Sequence, residues 1–119
     1  MIVVGPTTKI FLAREAVDFR CGIDALAQHC RATIQQDPFS GSLFVFRNRA
    51  RNSLKCIHYD GQGFWLHQKR LSNGQLKWWP TQDAAAIPLT AAQLQVLLWN
   101  GTVAQTQFAP LWKPIAQAA

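Results

Sequence analysis

Residues 37–80 constrain the fold more than any other part of the chain. Four short runs rich in apolar, β-branched and aromatic residues occupy positions 43–46, 54–59, 64–71 and 76–79. Asp60-Gly61 separates the second run from the third, and Asn73-Gly74 separates the third from the fourth. These residues tolerate the positive φ angles of tight hairpin turns. The stretch therefore predicts a β-meander, whose strands are antiparallel because tight turns join them.

Two predicted helices flank this meander. Apolar residues recur at helical spacing over residues 23–36, and Pro38 stops that helix. Thr90 and Gln93 form a capping box at the start of the second helix, which Asn100-Gly101 ends. Residues 9–13 look like a strand and residues 81–88 like a linker of small residues.

These elements predict a single α+β domain over residues 1–101. Its simplest architecture is an antiparallel β-meander of four to five strands with both helices packed on one face. Residues 102–119 are rich in Gln and Ala, and we expect a C-terminal tail that is partly disordered.

Cysteine content and hydropathy bear on the compartment. Three cysteines without a CxxC spacing argue against a disulfide framework and for reduced thiols. No apolar run approaches the length of a membrane span, and residues 1–6 lack the features of a signal peptide. We therefore expect a cytoplasmic protein without a membrane partner.

The positive charge is concentrated in the predicted meander. Residues 47–77 contain seven basic side chains and one acid, whereas the rest of the chain is balanced, so the net charge of +6 lies in this stretch. Nucleic acid is the commonest partner for such a concentration, although a charge run is often only a solvated face. The candidate nucleic-acid-binding residues are Arg47, Asn48, Arg49, Arg51, Lys55, Lys69, Arg70 and Lys77.

The loop after the first run of the meander is the centre of this prediction. The guanidinium groups of Arg47, Arg49 and Arg51 suit phosphates and base edges, and the amide of Asn48 can contact bases or sugars. If the preceding strand extends into the loop, the three arginines share one side of it.

Tryptophans are interleaved with this charge. One of Phe64 and Trp65, and one of Trp78 and Trp79, should leave the helix-covered face, because strand neighbours point to opposite faces. Trp65, Trp78 and Trp79 are the candidate partner-binding residues. They could stack on bases or be buried against a partner protein, and the sequence does not choose between the two.

The acidic residues do not suggest a catalytic cluster. Asp24 suits the first turn of a helix, Asp37 lies in a helix-ending loop and Asp60 in a turn, so each has a structural explanation. A metal-dependent nuclease, which needs converging carboxylates, is therefore the weakest hypothesis. We expect no catalytic residue, no cofactor and no small-molecule substrate.

His58 and His67 lie on adjacent predicted strands and could face each other, with Cys56 on the same side. A metal site of these three residues is conceivable, but the four-ligand spacing of structural zinc sites is absent. Cross-strand packing or an exposed edge is the favoured interpretation, and we assign no metal ligand.

Several segments, in this order and spacing, resemble the TnpB family of accessory proteins. These proteins are encoded by the second open reading frame of insertion sequence 66 type transposable elements. The resemblance covers roughly residues 8–100, and its segments are residues 18–27, 37–49, 60–64, 69–71, 79–80 and 89–98, with Lys55 between the second and third. Cys21 departs from the family in standing where a basic residue is expected, and the chain beyond Gly101 departs in its ending.

The resemblance implies a role in the transposition of a bacterial mobile element, beside a separate transposase. It supplies no catalytic residue. The leading hypothesis is a non-catalytic accessory protein that binds DNA through the basic loop and docks to the transposase or to itself. The alternative is a protein-interaction module, a homodimer or a transposase-docking adaptor, without direct DNA contact.

Overall fold

A computed structural model describes residue 5 and residues 7–103. The elements in chain order are β1 (Ile10–Ala13), α1 (Ile23–His29), a π-helical segment (Cys30–Ile34), β2 (Leu43–Arg47), β3 (Ser53–Tyr59), β4 (Phe64–Arg70), β5 (Ala86–Leu89) and α2 (Ala91–Leu98). The tail predicted for residues 102–119 lies outside the described residues except at positions 102 and 103, where Val103 is buried in the core.

The five strands form one sheet in the order β4-β3-β2-β1-β5. Every neighbouring pair is antiparallel except β1 and β2, which are parallel and are joined through α1. The α+β class and the antiparallel hairpins β2–β3–β4 are thereby confirmed. Gly61, at φ +96°, makes the turn between β3 and β4, where a residue without Cβ is favoured.

The two helices lie on opposite faces of the sheet, so the prediction of a single helix-covered face is wrong. Leu94 and Leu97 of α2 pack with Leu43 and Val45 of β2. On the other face, Leu26 of α1 and Ile34 of the π-helical segment pack with Phe44 and Phe46 of the same strand. Every residue at positions 43–46 is apolar, and burial on both faces is the physical reason.

Residues 76–79 do not form a strand, which corrects the fourth run of the predicted meander. Asn73-Gly74 does make a turn, with Gly74 at φ +76°, but the chain then crosses the loop between β2 and β3. Leu76 and Trp79 instead enter the core on the α2 face. The fifth strand is Ala86–Leu89, in the segment predicted to be a linker, and it pairs with the free edge of β1.

Both helices begin where the sequence predicts. Thr90 Oγ1 accepts a hydrogen bond from the Gln93 amide at 3.1 Å, and Gln93 Oε1 accepts one from the Thr90 amide at 2.9 Å, so the capping box is confirmed. The first helix widens from α to π geometry at Cys30 and ends at Gln35, whose backbone is left-handed.

Candidate nucleic-acid interface

One end of the sheet collects the predicted basic residues. β2 ends at Arg47, the loop of residues 48–52 follows, and β4 returns beside Ser53 with Arg70. The segment after β4 then lies against this loop, because the Leu71 amide donates to Asn52 O at 2.8 Å and the Leu76 amide to Arg51 O at 2.7 Å. We call Arg47, Arg49, Arg51, Arg70 and Lys77, which meet here, the basic end.

Asn48 builds the loop rather than projecting from it. Its Oδ1 accepts hydrogen bonds from the amides of Asn52 at 3.0 Å and Ser53 at 3.1 Å, and its Nδ2 donates to Asn52 Oδ1 at 2.6 Å. Arg51 takes a left-handed backbone at φ +60°, and its amide donates to Asn48 O. β2 therefore ends at Arg47 and does not extend into the loop, so the condition under which the three arginines would share one side is not met.

Arg47, at the end of β2, and Arg51, within the loop, are both half-buried. The Arg47 guanidinium lies 5.8 Å from the centroid of the Trp79 ring and donates to Asn48 O at 3.1 Å. Burial, and after it the positive charge of Arg51, lowers the pKa of Arg47, which Glu15 partly offsets. The Nε atoms of both arginines are buried without a hydrogen-bond partner among the described residues. Two crowded cations of this kind favour a nearby anion.

Arg49, Arg70 and Lys77 are exposed at the same end. The three salt bridges of the described residues all lie outside residues 47–77. They join Arg14 to Glu15, Arg14 to Asp83, and Arg20 to Asp18. The exposed cations of the basic end thus form no salt bridge in the described part of the chain.

An open groove of about 710 Å³ adjoins the loop, with Arg49 on one side and Arg20 on the other. Hydrogen bonds from the Arg20 side chain, the shortest of them 2.6 Å, lower the pKa of Asp18 to about 2. Asp18 therefore stays ionised and holds Arg20 in place. The charge of Arg49 also lowers the pKa of Asp18, but Arg49 forms no salt bridge with a described carboxylate.

Lys55 lies apart from the basic end and is only 5% exposed. It projects from β3 toward the α1 face, where its Nζ donates to Phe19 O at 2.9 Å and to Cys21 O at 3.1 Å. Its ammonium group also lies 4.9 Å from the centroid of the Phe19 ring. These contacts hold the loop before α1 against the sheet. They also bury the ammonium group of Lys55, which the sequence analysis named as a candidate for nucleic-acid binding.

Lys69 projects from β4 toward the α2 face. Its Nζ donates to Leu98 O at the end of α2 and lies 5.4 Å from the centroid of the Trp99 ring. A cation at this position suits the negative end of the helix dipole. Lys69 is nevertheless exposed, so its charge also faces solvent next to the basic end.

The three tryptophans predicted to bind a partner occupy different environments. Trp79 is a core residue, 6% exposed, whose Nε1 donates to Ala13 O at 2.8 Å. Trp78 is half-buried against the same core. Trp65 is 53% exposed on β4, which is an edge strand of the sheet.

His58 and His67 do face each other across the hairpin, with ring centroids 5.6 Å apart and planes 6° from parallel. Burial, followed by the neighbouring His58, lowers the pKa of His67. Cys56 is buried opposite His67, and burial raises the pKa of its thiol to about 12. Within residue 5 and residues 7–103, no three His, Cys, Asp or Glu side chains are grouped to hold a metal ion.

Trp99 is the residue that sequence reasoning missed, and it is 80% exposed. It directly follows α2 and lies four positions after Gln95, which is also exposed. Because residues four apart share a helix face, the apolar stripe at Leu94, Leu97 and Leu98 places Trp99 on the solvent side. That helical spacing was the available signal.

Comparison of the sequence with known proteins identifies its family. Residues 8–107 match the family described as IS66 Orf2 like protein. The chain therefore belongs to this family, the TnpB proteins of insertion sequence 66 type elements, and the resemblance noted from the sequence is confirmed.

Two proteins of Sinorhizobium fredii are among its relatives. The chain is 39% identical to uncharacterized protein y4hO over 98 residues, which cover 82% of this chain and 84% of the relative. It is 36% identical to uncharacterized protein y4jC over 84 residues, which cover 69% of this chain and 72% of the relative. No solved structure matches the chain significantly.

Neither helix in the described part of the chain is long and apolar enough to cross a membrane.

Proposed function

We propose that this chain is a non-catalytic accessory protein of transposition that binds DNA through the basic end of its sheet. In this proposal Arg49, Arg70 and Lys77 contact phosphates directly, with Lys69 beside them. The half-buried Arg47 and Arg51 add positive potential to this surface, and Asn48 fixes the loop shape. Lys55 is not part of the DNA-contacting set, because its ammonium group is buried and hydrogen-bonded inside the protein.

The observation that carries this proposal is the unpaired charge of the basic end. None of the described carboxylates forms a salt bridge with its exposed cations, and such a concentration of positive charge attracts polyanions, of which nucleic acid is the commonest. Membership of the insertion-sequence family supplies the context, since a transposition accessory protein works on a DNA element.

Fluorescence anisotropy with labelled duplex and single-stranded DNA tests this proposal. Titrations at about 50 and 200 mM salt give the slope of log affinity against log salt, which reports the number of phosphate contacts. The double variant Arg49→Gln, Arg70→Gln should weaken binding to DNA of any sequence and reduce the magnitude of this slope by about 2.

The matched control is Lys9→Gln, Arg31→Gln. It removes the same charge from exposed positions, and Lys9 precedes β1 at the opposite end of the sheet from the loop. We expect it to keep the wild-type slope. Equal losses in the two double variants would show that only total charge matters, and no binding by the wild type at low salt would refute DNA binding.

A second candidate function is docking to a protein, and the exposed rings of Trp65 and Trp99 favour it. The partner would be the transposase of the same element or a second copy of the chain. Its affinity would resist salt, because buried aromatic residues rather than phosphate contacts would supply it. Sedimentation velocity of the wild type and of Trp99→Ala at high salt tests self-association, and identical monomeric profiles would leave only the transposase.

A further inference from the structure

The outer part of the α2 face carries a second set of side chains with a shared arrangement. Trp65, His67 and Lys69 alternate along β4 and project from the same face. His58, the register partner of Trp65 on β3, joins them, and Trp99 lies over Lys69. We call these five residues the aromatic surface.

Three rings of the aromatic surface are nearly parallel. The Trp65 and His58 centroids lie 6.5 Å apart with planes 14° apart, and the His58 and His67 centroids 5.6 Å apart with planes 6° apart. The Trp65 and His67 rings, neighbours along β4, lie 6.2 Å apart with planes 12° apart. The three centroids therefore form a compact triangle, and the flat rings share a common orientation.

Asp60 holds the Trp65 ring of this group. The Trp65 Nε1 donates to Asp60 Oδ2 at 2.8 Å, while Asp60 Oδ1 accepts the amides of Gln62 at 2.8 Å and Gly63 at 2.9 Å. These hydrogen bonds, those from the turn amides first, lower the pKa of Asp60. An exposed indole fixed in this way loses little conformational entropy when a flat ligand binds to it.

Trp99 extends the surface beyond β4. Its ring is largely exposed, and the ammonium group of Lys69 lies within cation–π distance of it. Lys69 is in turn anchored to Leu98 O at the end of α2. A positive charge is thus held beside the exposed Trp99 indole, on the same face of β4 as Trp65.

We propose that the aromatic surface binds unpaired bases of single-stranded DNA by stacking, with Lys69 contacting the phosphate backbone. This inference rests on the proposed DNA-binding function and deepens it by naming the form of DNA. It assigns to β4 and Trp99 a role separate from that of the basic end, which contacts phosphates only.

The spacing of the rings favours unpaired bases over duplex DNA. Residues two apart on a strand are separated by about 6.6 Å. That distance is about twice the 3.4 Å between successive nucleotides of one strand in a duplex. Rings spaced in this way match bases that have separated from each other, whose faces are free to stack on aromatic side chains. Bases inside a duplex are already stacked and offer only their edges.

The charge of the aromatic surface favours a nucleic acid over an apolar protein partner. Its cation, Lys69, has no carboxylate partner among the described residues. The acid of the adjoining turn, Asp60, already accepts hydrogen bonds at both of its oxygens. An apolar partner would bury Lys69 without an anion, which is costly, whereas a phosphate backbone supplies the anion.

Binding of Trp65→Ala to labelled oligothymidine and to a duplex hairpin tests this inference. We expect the affinity for oligothymidine to fall about tenfold, because a stacked base contributes an effect of this order. The salt slope and the affinity for the hairpin should stay at wild-type values. Trp65→Phe should keep most of the oligothymidine affinity, because a ring remains available for stacking.

Phe39→Ala is the matched control, because Phe39 is a similarly exposed aromatic residue, 50% exposed, on another part of the surface. We expect it to bind oligothymidine like the wild type. Circular dichroism melting of each variant establishes that it is folded. Quenching of tryptophan fluorescence when oligothymidine is added to the wild type gives an independent measure of stacking.

Three results would overturn the inference. Unchanged oligothymidine affinity in folded Trp65→Ala would do so while leaving the proposed function intact, provided the wild type still binds DNA with a steep salt slope. Equal losses for oligothymidine and the hairpin would also do so. If the wild type binds neither DNA at low salt, the proposed function fails as well.

Discussion

β3 and β4 are adjacent strands of seven residues, and each carries a lysine, a histidine and an aromatic residue. Five residues of β3 are buried, whereas none of β4 is. β3 lies inside the sheet between β2 and β4, and β4 forms the edge. Position in the sheet therefore decides what a similar residue does. Lys55 becomes a structural cation, whereas Lys69 keeps its charge at the surface.

The tryptophans extend this contrast and predict the largest effect. Trp79→Ala should lower the free energy of unfolding by about 3 to 5 kcal/mol, since it leaves a cavity and removes the hydrogen bond to Ala13 O. Trp65→Ala should lower it by less than about 1 kcal/mol, because the indole is exposed. Urea unfolding followed by circular dichroism measures both. Similar losses of unfolding free energy in the two variants would contradict the assignment of Trp79 to the core and Trp65 to the surface.

The lysines predict a smaller effect of the same kind. Lys55→Met should lower the free energy of unfolding by about 2 kcal/mol, because Phe19 O and Cys21 O lose a charged hydrogen-bond donor. Lys69→Met should cost less than about 0.5 kcal/mol, since its charge faces solvent. The same urea titrations measure both, and equal losses would contradict the structural role of Lys55.

The salt slope of DNA binding should respond to these two variants in the opposite order from stability. Lys69→Met should reduce the magnitude of the salt slope by about 1, and folded Lys55→Met should keep the wild-type slope. A reduced salt slope in Lys55→Met would show that Lys55 contacts DNA and would contradict its structural role.

Histidine titration should give the smallest effect. Burial lowers the pKa of half-buried His29, whose ring lies edge-on to Phe46 with centroids 5.8 Å apart. The unfolded chain therefore binds this proton more readily than the folded protein, so the stability due to neutral His29 is present above about pH 6.5 and is lost as the pH falls below it. His29→Gln should flatten the fall in unfolding free energy between about pH 7.5 and 5.5. An unchanged pH dependence in this variant would contradict the assignment.

Local signals in the sequence predicted much of the fold. Asp60-Gly61 specified the hairpin, and Thr90 with Gln93 specified the start of α2, because both depend on residues adjacent in the chain. β5 was not predicted because its residues are small, it contains Pro88, and it pairs with the distant strand β1. The placement of the helices on opposite faces was encoded in the unbroken apolar run of β2, which one-sided burial does not explain.

The sequence predicted which residues of the candidate site are basic, but not which of their side chains are exposed. The net positive charge of residues 47–77 was evident from the sequence. The neighbours of Lys55 and Lys69 in the chain do not show which of the two is buried, because that depends on the strand and the face of the sheet on which each lies. Asn48 resembled a base-contacting amide, and the structure gives it the geometry of a loop-closing residue. Such distinctions depend on strand order and register, which are properties of the whole sheet.

The division between structural and DNA-contacting cations is tested most directly by acetylation footprinting of the lysines, with and without DNA, read by mass spectrometry. Without DNA, Lys9, Lys69 and Lys77 should react quickly, and Lys55 should react slowly because it is buried. DNA should protect Lys69 and Lys77 and leave Lys9 reactive. Protection of Lys9 as strong as that of Lys69, or fast acetylation of Lys55 in the folded protein, would contradict this division.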